Sequence, residues 1–206
     1  MRKLFAIHPD NPQSRLLRHA ATVLEDGGII AYPTDSGYAL GCRLGNKSAV
    51  ERIRSLRNLN KTHNMTLVCR DLSQLSMYAH VSNPIFRLLK AFTPGAYTFI
   101  LKATTDVPRL MLHAKKKTLG LRVPAHTVTR MLLECMDTPM MSTSLILPGA
   151  ESSLAEPLAI RDLLGDQIDL ILDVGHCSHE PTTVVDLTGD FPVVLRHGKG
   201  DPQPFC

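Results

Sequence analysis

The chain has 206 residues, of which 44% are hydrophobic and 20% charged, and its formal net charge is +4. These values are ordinary for a soluble globular protein and predict a single domain over residues 1–206 that buries a core without disulfide or metal support. No apolar run approaches the ~18 residues that cross a bilayer, which excludes a membrane-spanning protein. The N-terminus has no sustained apolar segment, so no secretory signal is expected.

The charge is distributed unevenly along the chain. Residues 1–132 carry 20 Lys and Arg against 7 Asp and Glu, whereas residues 133–195 carry 1 against 11. Such an uneven distribution of charge predicts a strongly positive face, for which polyanions such as ATP and RNA are natural partners. The alternative is that acidic and basic segments pair across the fold.

The five cysteines form no Cys-x-x-Cys pair. An odd, scattered set argues against a disulfide framework and predicts a reducing compartment, so we expect a cytoplasmic protein. The run 176–179, His-Cys-Ser-His, could hold a metal ion. Because no second Cys/His cluster completes a site, a polar surface loop is the better interpretation and no metal site is expected.

The first predicted elements are a helix and a strand. Apolar spacing predicts a helix over Gln13–Glu25, which Gly27-Gly28 ends. The apolar run Ile29–Tyr32 predicts a buried strand that ends at Pro33, because proline cannot continue an interior ladder. A polar loop, Thr34–Gly37, follows, and loops at strand ends are where α/β proteins bind small ligands.

The next predicted helix runs over Lys47–Arg57, with Ser48 and Glu51 in the capping-box arrangement. Its apolar stripe is expected to face the core. The spacing of Arg54, Arg57 and Lys61 places them together on the opposite side, where they would bind an anion or form a solvated basic face.

Later segments alternate between helix and strand. Predicted strands are Met65–Cys69, Tyr97–Leu101, Leu119–Val123, Met140–Ser144, Leu170–Leu172, Thr183–Asp186 and Val193–Arg196; predicted helices begin after the caps Asp71 and Ser82 and cover Val128–Met136 and Leu158–Leu164. This alternation favours an α/β or α+β domain with a mixed sheet. Neither a G-x-G-x-x-G nor a Walker A sequence is present, so Rossmann and P-loop sites are not expected.

Hydroxyl groups and cations gather near the predicted strand ends. The hydroxyls are those of Thr34, Ser36, Thr98, Ser142, Thr143 and Ser144, and the cations are those of Arg57, Lys61, Arg122 and Arg196. Without a Ser-His-Asp arrangement these groups suit phosphate neutralisation and positioning better than covalent hydrolysis. Arg122 alone, in Leu-Arg-Val-Pro, is more typical of a structural ion pair than of a ligand contact.

Five ordered motifs resemble those of the YrdC-like domain family. They are Tyr32–Gly41 (Y-P-T-D-S-G-Y-A-L-G), Thr93–Thr98 (T-P-G-A-Y-T), Gly120–His126 (G-L-R-V-P-A-H), Pro181–Asp186 (P-T-T-V-V-D) and Leu195–Gly198 (L-R-H-G). The match extends over about residues 13–198. It implies a twisted open mixed sheet with flanking helices and a positive concave surface that binds tRNA or double-stranded RNA.

The resemblance also implies a chemistry and a set of site residues. The best-understood members make threonylcarbamoyl-AMP from threonine, bicarbonate and ATP for tRNA modification. By motif, Thr34, Ser36 and Tyr38 would line the threonine side, and Arg57, Arg122, Ser144 and Arg196 would face the nucleotide phosphates or ribose. The residues themselves add Thr98 and Ser142 as candidates for substrate binding, Arg54 and Lys61 for phosphate binding, and the basic loop Lys115, Lys116 and Lys117 for the RNA surface. No tightly bound cofactor is expected, and Mg²⁺ only together with ATP.

Two departures from the family pattern concern the candidate catalytic residues Arg57 and Ser144. The family's K-x-R stretch reads Arg57-Asn58-Leu59 here, and its S-x-N stretch reads Ser144-Leu145-Ile146. Each loss would cost on the order of 2.7–4 kcal/mol of transition-state stabilisation, by analogy with an oxyanion-hole donor. Three interpretations remain open: a nucleotide- and RNA-binding protein with weak or altered adenylyl transfer, an RNA-binding module without catalysis, and a small-molecule-binding protein that does not bind nucleic acid.

Overall fold

The computed structural model describes residues 4–60, 63, 65–108 and 117–205. These residues form a mixed, twisted open sheet with flanking helices, which confirms the predicted fold class. The strands are β1 Leu4–Ala6, β2 Ile29–Thr34, β3 Gly37–Arg43, β4 Thr66–Val68, β5 Tyr97–Lys102, β6 Thr118–Arg122, β7 Met140–Ser144, β8 Leu170–Asp173, β9 Thr183–Asp186 and β10 Val193–Arg196. The helices are α1 Ser14–Glu25, α2 Lys47–Leu56, α3 Leu72–Tyr78, α4 Asn83–Phe92, α5 Thr127–Glu134 and α6 Pro157–Leu164, and a 3-10 turn covers Gln203–Phe205.

The strand order in the sheet is β1-β8-β2-β3-β7-β4-β6-β5-β9-β10. The pairs β1/β8, β8/β2, β4/β6 and β5/β9 are parallel, and the other neighbours are antiparallel. Strands that are distant along the chain therefore become neighbours, so that polar residues on β7, β4, β6 and β5 lie side by side.

Both faces of the central strands are buried. On β2, Ile29 and Ala31 pack in one apolar cluster with Val50 of α2, while Ile30 and Tyr32 pack in another with α1 and α5. Alternate residues of a strand point to opposite faces, so a continuous apolar sequence is required here. Burying each large aliphatic side chain contributes about 1.5–3 kcal/mol.

The strand β2 continues two residues beyond the predicted end, through Pro33 to Thr34. Pro33 pairs with Tyr38 of β3, whereas β8 pairs only with Ile30 and Ala31 of β2. The missing amide hydrogen of Pro33 therefore faces no strand on the β8 side. The prediction that the strand ends at Pro33 was wrong because it assumed neighbours on both sides throughout.

The N-termini of α2 and α3 test two predicted helix caps, with different outcomes. Asn46 caps α2, where its side-chain oxygen accepts a hydrogen bond from the amide of Ala49 at 3.0 Å, so the predicted capping box at Ser48 was wrong. The predicted cap Asp71 is confirmed, because it accepts from the amide of Gln74 at 2.8 Å.

None of the described helices combines the length and apolar character needed to cross a membrane.

Candidate functional site

A cavity of about 380 Å³ opens over the part of the sheet where β7, β4, β6, β5, β9 and β10 lie side by side. Its floor includes Ser142, Thr66, Gly120 and Ile100, which are successive partners in the strand register. A methyl group at Gly120 would approach the Thr98 side chain at 3.2 Å, so glycine keeps this part of the floor open. The result is a broad depression on the sheet, lined by both polar and apolar side chains.

Nine of the residues predicted to form a site line this cavity. They are Thr34, Ser36, Tyr38, Arg57, Thr98, Arg122, Ser142, Ser144 and Arg196. The structure therefore brings together the predicted amino-acid and phosphate sides. Lys61, Lys115 and Lys116 lie outside the described residues, and the exposed Lys117 does not line the cavity.

Arg54 is the predicted residue that the structure places elsewhere. It is only 6% exposed, does not line the cavity, and donates to the Glu51 carboxylate at 2.7 Å. The prediction put Arg54 opposite the buried face of α2, but residues 50, 53, 54 and 57 follow one another at helical spacing and share one side. The arginines thus extend the buried face, and Arg57 reaches the cavity from its end.

Two hydrogen bonds anchor the Arg57 side chain. Its Nε–H donates to the carbonyl oxygen of Ile146 at 2.8 Å, and its Nη1 donates to the Thr143 hydroxyl. Partial burial lowers the pKa of Arg57, but a guanidinium group remains charged near neutral pH. The side chain is thereby held as an oriented cation at the cavity wall.

Arg122 is buried and forms an ion pair with Asp35 of the β2–β3 turn. Asp35 also accepts a hydrogen bond from the amide of Ala125 at 3.1 Å. Burial lowers the pKa of Arg122 to about 10, so its charge persists at neutral pH. The structural ion-pair interpretation of Arg122 therefore holds, yet the residue also lines the cavity, and its Nε has no hydrogen-bond partner among the described residues.

Arg196 belongs to a network that connects three strands. Its Nε and Nη2 donate to the carbonyl oxygen of Thr182 at 3.0 and 2.9 Å, and Nη2 also donates to the Thr182 hydroxyl. That hydroxyl lies 2.9 Å from the hydroxyl of Thr98 on β5. A bulge in the β9–β10 pairing falls between Val194 and Arg196. Thr98 therefore acts on the cavity partly by positioning Arg196.

The hydroxyl groups at the β2–β3 turn support one another. The Thr34 hydroxyl donates to the carbonyl oxygen of Gly37 at 2.7 Å and accepts from the amide of Ser36. The Tyr38 hydroxyl donates to the carbonyl oxygen of Gly175 at 2.9 Å and accepts from the amide of Val174. Tyr38, predicted to touch substrate, thus uses its hydroxyl to hold the segment after β8 against the turn.

Several cavity residues were missed or left without a role by sequence reasoning. His63, Thr66, Thr118 and Asp186 line the cavity, as do the aliphatic side chains of Ile100, Val184 and Leu195. Asp186 is the last residue of the motif Pro181–Asp186, but no role was predicted for it. His63 follows the end of a helix, where no hydrophobic pattern indicates its position. Among the described residues no group of three His, Cys, Asp or Glu side chains is placed to hold a metal ion.

The described cysteines Cys42, Cys69, Cys135 and Cys177 are free thiols. In the 176–179 run, the His176 imidazole bonds to the Glu156 carboxylate at 2.7 Å and His179 lies against the backbone oxygen of Ser153. These contacts give the two imidazoles partners within the protein. The run therefore forms ordinary loop contacts.

Comparison with known proteins gives consistent matches over nearly the whole chain. The Sua5_yciO_yrdC family model, described as telomere recombination, matches residues 22–198. The YciO protein of Escherichia coli K12 is 54% identical over 205 residues and covers 100% of both chains, and the crystal structure of E. coli YciO gives a TM-score of 0.96 with full coverage of both chains.

More distant relatives carry a described activity or ligand. The threonylcarbamoyl-AMP synthase of Halorhodospira halophila is 32% identical over 157 residues, which cover 76% of this chain and 81% of that protein. The crystal structure of P. abyssi Sua5 complexed with L-threonine is 26% identical, with a TM-score of 0.87, over 95% of this chain and 57% of that one.

Proposed function

Because this chain belongs to the Sua5/YciO/YrdC family and is related to threonylcarbamoyl-AMP synthases, we propose that its cavity binds ATP or AMP together with threonine and that the protein binds tRNA or double-stranded RNA. Its adenylyl transfer is reduced or altered relative to those synthases. The observation that carries the proposal is the convergence of Arg57, Arg122 and Arg196 with strand-end hydroxyls on one cavity.

The three guanidinium groups would neutralise the phosphates of the nucleotide. Each is held by protein oxygen atoms, so little side-chain freedom is lost when an anion binds. Fixed donors of this kind stabilise negative charge better than mobile lysines. Mg²⁺ would enter with ATP and be bound largely through its phosphates, as is usual for this ion.

The hydroxyl-rich end of the cavity would hold the amino acid. Thr34, Ser36 and Ser142 line the cavity, and the relative solved with L-threonine has the same fold. Hydroxyl groups both donate and accept, which suits a zwitterion with a hydroxyl side chain. Tyr38 would support this end indirectly, through the segment at residues 174–175.

Catalysis is expected to be slow because two positions lack polar groups. Leu59 does not line the cavity, and Ile146 lines it with an aliphatic side chain. Two losses on the order of 2.7–4 kcal/mol each predict a rate several powers of ten below that of a synthase with both groups. The nucleotide would still bind, because the three arginines do not depend on the side chains at these positions, and the Arg57 anchor at residue 146 is a backbone carbonyl oxygen.

The experiment supplies threonine, bicarbonate and ATP and measures threonylcarbamoyl-AMP and pyrophosphate. We expect the wild-type protein to turn over far more slowly than a K-x-R/S-x-N synthase, and the double variant Leu59→Arg/Ile146→Asn to be faster than wild type. Wild-type turnover equal to that of such a synthase would contradict the proposal that catalysis is slowed at this site. Unchanged turnover in the variant would contradict the assignment of these two positions.

An RNA-binding module without catalysis is the second candidate. It is favoured by the charge of residues 1–132, which hold 20 Lys and Arg against 7 Asp and Glu. RNA recognition by shape and phosphate contacts requires few aromatic side chains, in keeping with an aromatic content of 5%. RNA affinity in a protein that binds neither ATP nor threonine would favour this candidate.

A further inference from the structure

We propose that His63 is a proton-linked anion ligand of the cavity, which in its charged form joins Arg57 in binding the phosphate groups of a nucleotide. This inference rests on the proposed nucleotide site and assigns to it a residue and a pH dependence. It predicts that the protein takes up a proton when the nucleotide binds.

The position of His63 follows from the way α2 ends. Asn58 adopts a positive φ of 50°, the amide of Leu59 donates to the Arg54 carbonyl at 2.8 Å, and the amide of Asn58 donates to Ser55. This is the Schellman arrangement, which turns the chain back across the helix end. The amide of His63 then donates to the carbonyl oxygen of Asn60, and the imidazole lines the cavity.

The charges around His63 are mostly positive. Partial burial and the guanidinium groups of Arg57 and Arg54 lower the pKa of His63 below its ordinary value. Arg122 and Arg196 contribute further positive charge to the same cavity from β6 and β10, and Asp186 on β9 contributes negative charge. Asp186 is engaged locally, because its Oδ1 accepts from the amide and hydroxyl of Thr188.

This environment makes His63 responsive to a bound anion. In the free protein partial burial and the neighbouring arginines shift the balance of His63 toward the neutral imidazole. A phosphate between His63 and Arg57 favours the imidazolium form and raises the pKa of His63. By linkage, binding strengthens as the pH falls through the interval between the free and the bound pKa. Outside this interval His63 has the same charge in both states, and the dependence ends.

A role in packing does not account for these features. His63 is exposed to solvent, so it fills no core position. Among the described residues the charged groups that shift its pKa are the guanidinium groups of Arg57 and Arg54, and both disfavour the imidazolium form. An exposed imidazole beside two guanidinium groups is electrostatically unfavourable when charged unless an anion accompanies it.

The experiment measures ATP affinity by calorimetry from pH 5.5 to 8 for the wild type, His63→Gln and His63→Lys. The control is His176→Gln, because His176 is an exposed histidine bonded to Glu156 that does not line the cavity. The titration of ATP itself is common to all four proteins and cancels in their comparison. We expect the wild-type advantage over His63→Gln to grow on acidification by up to about tenfold per pH unit, the limit for one proton.

His63→Lys should retain tight binding across the range because its charge is fixed, and His176→Gln should follow the wild type. An NMR titration of the His63 ring in the wild-type protein, which needs no variant, should show a pKa below that of an ordinary histidine that rises when ATP is added. ATP binding with equal pH dependence in wild type and His63→Gln, and with an unmoved His63 pKa, would overturn the role of His63 while leaving the nucleotide site intact. No ATP binding at any pH would instead overturn the proposed function itself.

Discussion

The guanidinium group of Arg57 donates to the backbone carbonyl oxygen of Ile146 at 2.8 Å and thereby joins the two segments in which the chain departs from the family pattern. The bond uses the backbone of residue 146 and not its side chain. Replacing Ile146 by Asn therefore leaves the anchor of Arg57 in place. The proposed phosphate side of the cavity therefore keeps an oriented cation, although positions 59 and 146 carry aliphatic side chains.

The variant Thr143→Val tests whether the second anchor of Arg57 matters. It removes the hydroxyl that accepts from Arg57 Nη1 and keeps the branched shape of the side chain. The affinity for ATP should fall by about 0.5–1.5 kcal/mol, or roughly two- to tenfold, because Arg57 must then be ordered by the ligand. Calorimetry measures this loss. The control Thr104→Val, whose hydroxyl bonds to Met77 away from the cavity, should leave the affinity unchanged.

The variant Asp35→Asn tests the buried ion pair with Arg122. The side chains of Asp35 and Arg122 are 12% and 9% exposed, so the variant leaves a buried cation without its countercharge. The free energy of unfolding should decrease by about 3–5 kcal/mol, as measured by urea denaturation. Asp162→Asn, in an exposed pair with Arg161, should cost less than about 1 kcal/mol. Equal small effects in both variants would show that the Asp35–Arg122 pair does not stabilise the fold.

The variant Tyr38→Phe tests the attachment of the segment after β8. It leaves the amide of Val174 and the carbonyl oxygen of Gly175 without their buried partner. Amide exchange at residues 174–176 should accelerate, and stability should fall by about 1–3 kcal/mol. Tyr97→Phe, which loses a 3.3 Å bond to the backbone of Asp201 at the surface, serves as the control. Unchanged amide exchange at residues 174–176 would show that contacts other than the Tyr38 hydroxyl hold this segment in place.

The fold class and the strand-end hydroxyl groups could be predicted from the sequence because local patterns encode them. The apolar run at Ile29–Tyr32 identifies a buried strand, and the hydroxyls at 142–144 belong to the last three residues of β7. The strand β1, only three residues long, gave no such signal. The strand β4 has the same length, but it was predicted because it lies within the longer, mostly apolar run Met65–Cys69.

The arrangement of the cavity could not be predicted because it depends on contacts between distant segments. The Thr98–Thr182 contact joins residues 84 positions apart, and Arg57 reaches Ile146 across 89 positions. The prediction of which side of α2 carries Arg54 was wrong, because it assumed that a charged residue faces solvent. A buried arginine is stable when its charge is paired, as here with Glu51, and sequence spacing alone does not reveal this pairing.

Binding to tRNA or duplex RNA should weaken steeply with salt if the positive segments form the contact. The logarithm of the binding constant should fall linearly with the logarithm of the salt concentration, with roughly 0.7–0.9 of slope for each phosphate contacted. The triple variant Lys115→Glu/Lys116→Glu/Lys117→Glu should reduce both affinity and slope. Filter binding at several salt concentrations measures this. Affinity independent of salt would exclude the positive surface as its cause.

Calorimetric titration of ATP into the wild type, Arg57→Ala and Arg196→Ala addresses the nucleotide site itself. Arg87→Ala, which changes an exposed arginine of α4 outside the cavity, is the matched control. We expect saturable one-site binding in the wild type and in Arg87→Ala. Each cavity variant should lose about 1.5–3 kcal/mol, or roughly ten- to a hundredfold in affinity, through a lost charge-assisted hydrogen bond. No saturable binding by the wild type, or equal binding by all four proteins, would contradict the assignment of this cavity to a nucleotide.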